Sequence, residues 1–409
     1  MTARTAVIIG ASHAAAQLSA SLRLEGWDGD IVVVGDEGYL PYQHPPLSKT
    51  FLSGDKTVAD LYIRPAAFYE KNNIRFRQAR VTAIDRARQQ LTLDDGSSLA
   101  YDKLALCLGA RVRKAGLPGE TLAGVHYLRT IADVQGIQPE VIAGKRAVII
   151  GGGYIGLETA ASLRKQGMAA VVLEMADRIL QRVTAPELSE FYSRIHREEG
   201  VRIHTGISVT ALAGDTRVER VVCANGVEFP ADLVIIGVGV VPNVELAEAA
   251  GLAVDNGITV DEFACTSDPH IVAAGDCANH FNAIYQRRMR LESVPNAGDQ
   301  AKAAAASLCG LKKSYQSLPW FWSDQYDLKL QIAGLSQGYD RVVIRGDKAN
   351  SRSFAAFYFQ GERLLAADCI NRPQEFMLAK KIITDKVAVN ISRLADETIA
   401  VKDMLPAAY

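Results

Sequence analysis

The chain has 409 residues, long for one hydrophobic core, so two or three domains are expected. A net charge of -1 offers no field for nucleic acid or an anionic membrane, and no apolar run approaches the roughly 18 residues of a spanning helix. The first residues pass from a short apolar run straight into a glycine turn, unlike a signal peptide. The six cysteines are scattered, with no Cys-x-x-Cys and no metal spacing. Reduced, mostly buried thiols in a cytoplasmic protein without a bound metal are the expectation.

Residues 5–9 read as a buried strand, Gly10 to Ala15 as a turn, 15–24 as a helix and 30–34 as a second strand. Against the pattern Gly-x-Gly-x-x-Gly, the second and third glycines are replaced by Ser12 and Ala15. Both are small enough for close backbone approach and helix packing. The acid that would meet a ribose after the second strand is Asp36 or Glu37, with Asp36 nearer the strand end. Further on, Pro45-Pro46-Leu47-Ser48-Lys49 holds two prolines ahead of an expected helix that begins near Ser48 as its N-cap. Lys49 then falls in a first helical turn, where a cation opposes the dipole and requires an acidic or ligand partner. Residues 57–113 alternate strands (74–76, 80–84, 90–93, 103–108) with turns, and a helix is expected to start at Arg129-Thr130.

The most informative stretch is 147–174. An apolar strand (147–150) enters Gly151, Gly153 and Gly156, a helix runs to about Gln166, and a second strand (169–173) ends in Glu174. That is a full dinucleotide-binding context rather than a bare glycine pattern. Gly151 serves the tight turn, Gly153 the approach of a pyrophosphate, and Gly156 the packing of helix on strand. Phosphates would lie at the helix N-terminus and Glu174 would accept from an adenosine ribose. A carboxylate there disfavours a 2′-phosphate, so NADH is expected over NADPH; Arg178, the nearby cation that could meet such a phosphate, is read as facing solvent.

A helix (185–199) and a strand (231–237) running into Val238-Gly239 finish this unit. A strand at 270–274 leads to Gly275-Asp276-Cys277-Ala278, whose acid can reach a ribityl or phosphate hydroxyl. Glu292-Ser293-Val294-Pro295-Asn296 precedes an alanine-rich helix (297–308). From 318 the texture becomes aromatic and alternating (Pro-Trp-Phe-Trp-Ser-Asp-Gln), the mark of an antiparallel sheet with helices after Pro373.

Taken together, the two dinucleotide units, Pro-Pro-Leu-Ser-Lys, Gly-Asp-Cys-Ala, Glu-Ser-Val-Pro-Asn-Ala and Pro-Trp-Phe-Trp-Ser-Asp-Gln resemble the FAD-containing, NADH-dependent ferredoxin reductases of bacterial oxygenase systems, over essentially the whole chain. The resemblance implies an α/β fold with two Rossmann-like, glutathione-reductase-like domains and a C-terminal α+β domain. FAD would take 1–112 and 244–317, NAD 113–243, and residues 318–409 would cover the flavin. It places FAD on Gly10, Ser12, His13, Ala14, Ala15, Asp36, Lys49, Val81, Arg129, Asp276 and Val294, with Trp322 at the isoalloxazine edge. NADH would lie on Gly151, Gly153, Tyr154, Ile155, Gly156, Glu174, Val238 and Gly239, with Glu158 near the nicotinamide and paired with Lys49 as the catalytic residues.

The implied activity is hydride transfer from NADH to FAD, then single electrons to a small acidic [2Fe-2S] ferredoxin that supplies a cytochrome P450 or Rieske-type oxygenase. Ser48 and Lys49 stand where disulfide and peroxide reductases of this fold carry a cysteine, which argues against those activities. A rubredoxin reductase and an NAD(H)-bound redox sensor are the alternatives. Arg287, Arg290 and Lys302 are candidate docking residues, and a monomer or weak dimer is expected.

Overall fold

The computed structural model describes residues 4–404. Residues 1–3 of the expected FAD-binding domain and 405–409 of the expected C-terminal domain lie outside the described residues. The chain divides into two compact units. One takes the chain up to Gln43 with Ala59–Arg111 and Val240–Pro319; the other takes His44–Val58, Val112–Gly239 and the chain from Trp320 onward.

In the first unit a five-stranded parallel sheet has the order Ile271–Ala273, Lys103–Leu106, Thr5–Ile9, Asp30–Gly35, Ile74–Gln78. Its first four strands are apolar on both faces because both faces are covered, while the edge strand Ile74–Gln78 alternates apolar and polar residues. Ala15, Leu18 and Leu22 of the helix His13–Leu24 and Ala301, Ala304 and Leu308 of the helix Val294–Leu308 form one core with the sheet residues Ile8, Ile31 and Val33. The alanines on both helices let their backbones approach closely. The opposite face is closed by Val81, Ile84 and Leu91 of a three-stranded antiparallel sheet.

In the second unit another five-stranded parallel sheet has the order Arg202–His204, Ala169–Leu173, Arg146–Ile150, Leu233–Ile236, Val125–Tyr127. The helix Tyr154–Lys165 follows the central strand, and Pro186–Glu198 covers the edge. The chain from Trp320 adds the five-stranded antiparallel sheet expected from its alternation, in the order Trp320–Gln325, Leu328–Gly334, Arg363–Ile370, Phe354–Gln360, Arg341–Gly346, followed by the helix Pro373–Asp385. Among the described residues no helix is long and apolar enough to cross a membrane.

Asp368 lies inside this unit, 2% exposed, and accepts hydrogen bonds from Thr184 Oγ1 and Tyr358 OH, both at 2.5 Å. Burial raises its carboxyl to about 6, although the two hydroxyls pull the other way. A folded pKa above the unfolded value means the unfolded chain ionises first. The stability this residue allows at low pH is therefore lost as pH rises from about 4 to about 6. Asp368→Asn keeps an acceptor for both hydroxyls without the charge. It should raise thermal stability at pH 8, by on the order of 2 kcal/mol, and change it little near pH 4.5; unfolding scans at the two pH values check this.

Candidate functional site

The turn after Arg146–Ile150 is dictated by glycine. Gly151 sits at φ +113°, and a Cβ there would meet Gly237 O at 2.4 Å. A Cβ on Gly156 would meet Gly151 O at 2.1 Å, so helix and strand pack backbone to backbone. Gly153 differs, because a Cβ there would meet nothing within 4 Å. Space is therefore open directly above the first N–H groups of the helix, which Gly153 as N-cap has no side chain to satisfy. Ile155, in that first turn, is 48% exposed. An anion cradle beside an exposed apolar side chain fits a dinucleotide.

Three further expected residues gather here. Glu174 accepts from Gly152 N at 2.6 Å and Ala176 N at 2.8 Å, which fixes its carboxylate at the rim of the turn. Val238 and Gly239 follow the neighbouring strand, and the Gly151 turn abuts them: a Cβ on Gly151 would lie 3.6 Å from Val238 N. Ligands of open parallel sheets bind at these carboxyl ends. Arg178 does not face solvent freely. Its guanidinium donates to Thr184 O, Gln181 O and Ser189 Oγ. The Tyr154 side chain turns inward onto Phe321, ring centroids 4.8 Å apart, so what it offers at the turn is its backbone.

Glu158, one helical turn further, is 3% exposed and carries the densest polar contacts of the site. Lys49 Nζ lies 2.6 Å from its Oε2, and Ser48 Oγ donates to the same oxygen at 2.6 Å. Ser323 Oγ donates to Oε1, again at 2.6 Å. One buried carboxylate thus takes a cation and two hydroxyl donors, the arrangement that makes burying a charge tolerable. Lys49 also donates to Pro45 O at 3.2 Å, and Ser162 Oγ holds Ser48 O at 2.7 Å.

The local structure around Lys49 corrects the sequence expectation. No helix begins at Ser48. Pro45–Ser48 is itself a short 3-10 turn with the prolines in its first two positions, and Lys49 closes it. The prolines set φ for the start of a turn rather than for an extended lead-in. Ser48 is the last residue of that turn and caps nothing; its hydroxyl serves Glu158. Lys49 therefore needs its acid for burial and not to offset a helix dipole.

In the first unit Gly10 sits at φ +102°, and a Cβ there would lie 2.1 Å from Cys107 O. Ser12 is the N-cap position of the helix that His13 opens, and Ala14 and Ala15 are buried beneath it. A Cβ on Gly275 would lie 3.3 Å from that of Ala14, which brings the Asp276 turn beside the first glycine turn. Val294 opens the helix Val294–Leu308 behind the Ser293 cap, and Val81 is buried at the start of Val81–Asp85. Asp36 is half exposed and paired with Arg80 at 2.8 Å, while Glu37 accepts from Tyr42 OH at 2.7 Å. In the second unit Arg129 precedes Thr130, the N-cap of a full capping box with Asp133, and its own N–H also donates to Asp133.

Alternation along Trp320–Gln325 sends Trp320 and Trp322 to one face, rings 5.6 Å apart, and Phe321, Ser323 and Gln325 to the other. Only the second face meets Glu158. Of the docking candidates, Arg287 is exposed and Lys302 is 59% exposed beside Asp299 at 2.9 Å. Arg290 is unsuited to docking: its side chain is 10% exposed and tied to Glu292 at 2.7 Å and Asp276 O at 3.0 Å. A guanidinium that closes a loop cannot also greet a partner.

Burial pushes the thiol pKa of all six cysteines upward, Cys277 to about 11. None is a thiolate near neutrality, so none is suited to disulfide exchange.

Comparison with known proteins agrees with this geometry. Residues 4–301 match the pyridine nucleotide-disulphide oxidoreductase model and 320–405 the reductase C-terminal model. Putidaredoxin reductase CamA of Pseudomonas putida is 46% identical, covering 98% of this chain and 97% of that one. Rhodocoxin reductase of Rhodococcus erythropolis is 42% identical, over 97% and 93%. Among solved structures, the covalent putidaredoxin reductase–putidaredoxin complex superposes with a TM-score of 0.95, at 46% identity over 98% of each chain. With two glycine turns built for dinucleotides, no activated thiol, and relatives of this likeness over its whole length, the chain belongs to the pyridine nucleotide-disulphide oxidoreductase family, among its FAD-dependent ferredoxin reductases.

Proposed function

We propose that this protein oxidises NADH with FAD and passes the electrons singly to a small [2Fe-2S] ferredoxin that supplies a cytochrome P450 or Rieske-type oxygenase. One NADH and two oxidised ferredoxins give NAD⁺, two reduced ferredoxins and a proton. The flavin, when bound, accepts a two-electron hydride and releases single electrons. FAD would be held by 1–112 and 244–317, through Gly10, Ser12, His13, Ala14, Ala15, Asp36, Val81, Asp276 and Val294, together with Lys49, Arg129 and Trp322. NADH would be held by 113–243, and 318–409 would cover the flavin. The work of the protein, a cytoplasmic monomer or weak dimer in this reading, is to bind, to orient and to fix charge.

The observation that carries this reading is the Lys49–Glu158 pair. A cation locked to a buried acid, one helical turn from the open glycine cradle, is a preorganised charge and not a solvated surface lysine. The supporting measurement is NADH-dependent reduction of a [2Fe-2S] ferredoxin by the purified holoenzyme. NADH oxidation that no ferredoxin accelerates would favour a redox sensor instead.

Coenzyme choice has its own test. Glu174 is held by two backbone N–H groups at the rim of the cradle, and Arg178 is tied within its own loop. Glu174→Ala should raise the KM for NADH by roughly tenfold and narrow the preference over NADPH, the scale of one or two lost charge-assisted hydrogen bonds. An unchanged ratio of kcat/KM for the two coenzymes would show that the ribose lies elsewhere.

A further inference from the structure

Ser323 is the near end of a longer row. Its Oγ accepts from Gln325 Nε2 at 3.2 Å, Gln325 Oε1 lies 2.8 Å from His196 Nε2, and His196 Nδ1 lies 2.9 Å from Tyr326 OH. Ser323, Gln325 and His196 are 0%, 2% and 0% exposed. Residues from the helix Pro186–Glu198 and the strand Trp320–Gln325 are thereby linked to Glu158 on a third element.

The direction of each bond follows from the carboxylate end. The Glu158 carboxylate is ion-paired with Lys49 and accepts, so Ser323 donates to it. With its one hydrogen so used, Ser323 must accept from Gln325, and the amide nitrogen faces it. The amide oxygen then faces His196, which must carry its hydrogen on Nε2, leaving Nδ1 to accept from Tyr326. Burial lowers the His196 pKa to about 4, so the imidazole is neutral near neutral pH, with one donor and one acceptor as the row requires. Four successive dipoles point the same way, toward Glu158, and such rows strengthen one another.

Tyr326 shows what the fold accepts to complete the row. It sits at φ +56° in the tight turn between Trp320–Gln325 and Leu328–Gly334, a region where asparagine or glycine is the usual occupant. Its ring packs edge-on to His196, centroids 5.1 Å apart.

We propose that Ser323, Gln325 and His196 are positioning residues for flavin reduction: a one-way row of donors that fixes the Glu158 carboxylate where it engages Lys49. None of them need touch coenzyme; they act through Glu158. The proposal rests on the reading that Glu158 and Lys49 serve the flavin.

The test is a double-mutant cycle on the holoenzyme. Gln325→Met keeps the side-chain length and removes both polar ends. The single-turnover rate constant for flavin reduction by NADH should fall roughly tenfold, the scale on which a misplaced catalytic group costs rate. The dissociation constant for NADH should stay within about twofold of the parent's, since a positioning role does not alter uniform binding. In a Glu158→Gln background the same substitution should do nothing further.

Nitrogen NMR of histidine-labelled protein gives a readout independent of activity: His196 should be a single Nε2–H tautomer in the parent and lose that preference in Gln325→Met. Should Gln325→Met fold poorly, His196→Gln, which keeps a donor, should retain more of the rate than His196→Leu. Equal falls in both backgrounds, or no fall in the parent, would overturn the proposal. A Glu158→Gln enzyme reduced as fast as the parent would instead overturn the placement of Glu158 at the flavin, and this proposal with it.

Discussion

Lys49→Met is expected to slow flavin reduction by NADH roughly 100-fold or more, the usual loss when one preorganised electrostatic group is removed. The lysine is held on two sides, by Glu158 at 2.6 Å and Pro45 O at 3.2 Å, in a turn that Ser162 pins through the Ser48 carbonyl. In the proposed function its charge is thus held in place ahead of flavin reduction. Methionine fills the same volume without the charge. The substitution also leaves Glu158 buried with two serine donors and no counter-ion, a loss of about 3 kcal/mol in thermal stability. The two effects separate in the double variant Lys49→Met/Glu158→Gln. Stability should return because no orphan charge remains, while the rate stays low. A double variant that recovers both would mean that Lys49 serves folding only.

The second large effect is expected at the acceptor side. Reversing Arg287 and Lys302 together to glutamate should slow ferredoxin reduction at least tenfold at low salt and leave ferricyanide reduction unchanged, since exposed charges act on encounter with a charged protein partner. Both side chains are exposed, whereas that of Arg290 is 10% exposed and paired with Glu292. Raising the ionic strength should bring the parent's rate down toward the variant's. Equal loss with both acceptors would mean that the substitutions injured the flavin site and not docking.

Much of the fold was legible because its signals are local. Apolar runs of four to six residues bounded by glycine mark Thr5–Ile9, Asp30–Gly35, Arg146–Ile150 and Ala169–Leu173, and period-two alternation marks the last sheet. The glycine turns were legible for the same reason, since a positive φ against a neighbouring carbonyl admits little else. The Lys49–Glu158 pairing rested on family resemblance, because 109 positions separate the two residues and no local rule joins them. Missed entirely were Ser48 as a donor, Ser323, Gln325 and His196. Each is a small or neutral polar residue in a buried stretch, and its meaning comes from which distant acid it reaches. The period of Trp320–Gln325 did hold a clue: Ser323 and Gln325 share a face that should be apolar if it only packs. The helix expected at Ser48 failed because two prolines were read as a lead-in when they are the turn.

The most direct test of the central claim is steady-state oxidation of NADH and of NADPH by the FAD-loaded protein, with a panel of purified [2Fe-2S] ferredoxins and a rubredoxin as acceptors. NADH should be the better donor, at least one ferredoxin should accelerate its oxidation with two ferredoxins reduced per NADH, and the rubredoxin should be the poorer acceptor. A rate that no ferredoxin raises, or that only rubredoxin raises, would contradict the account.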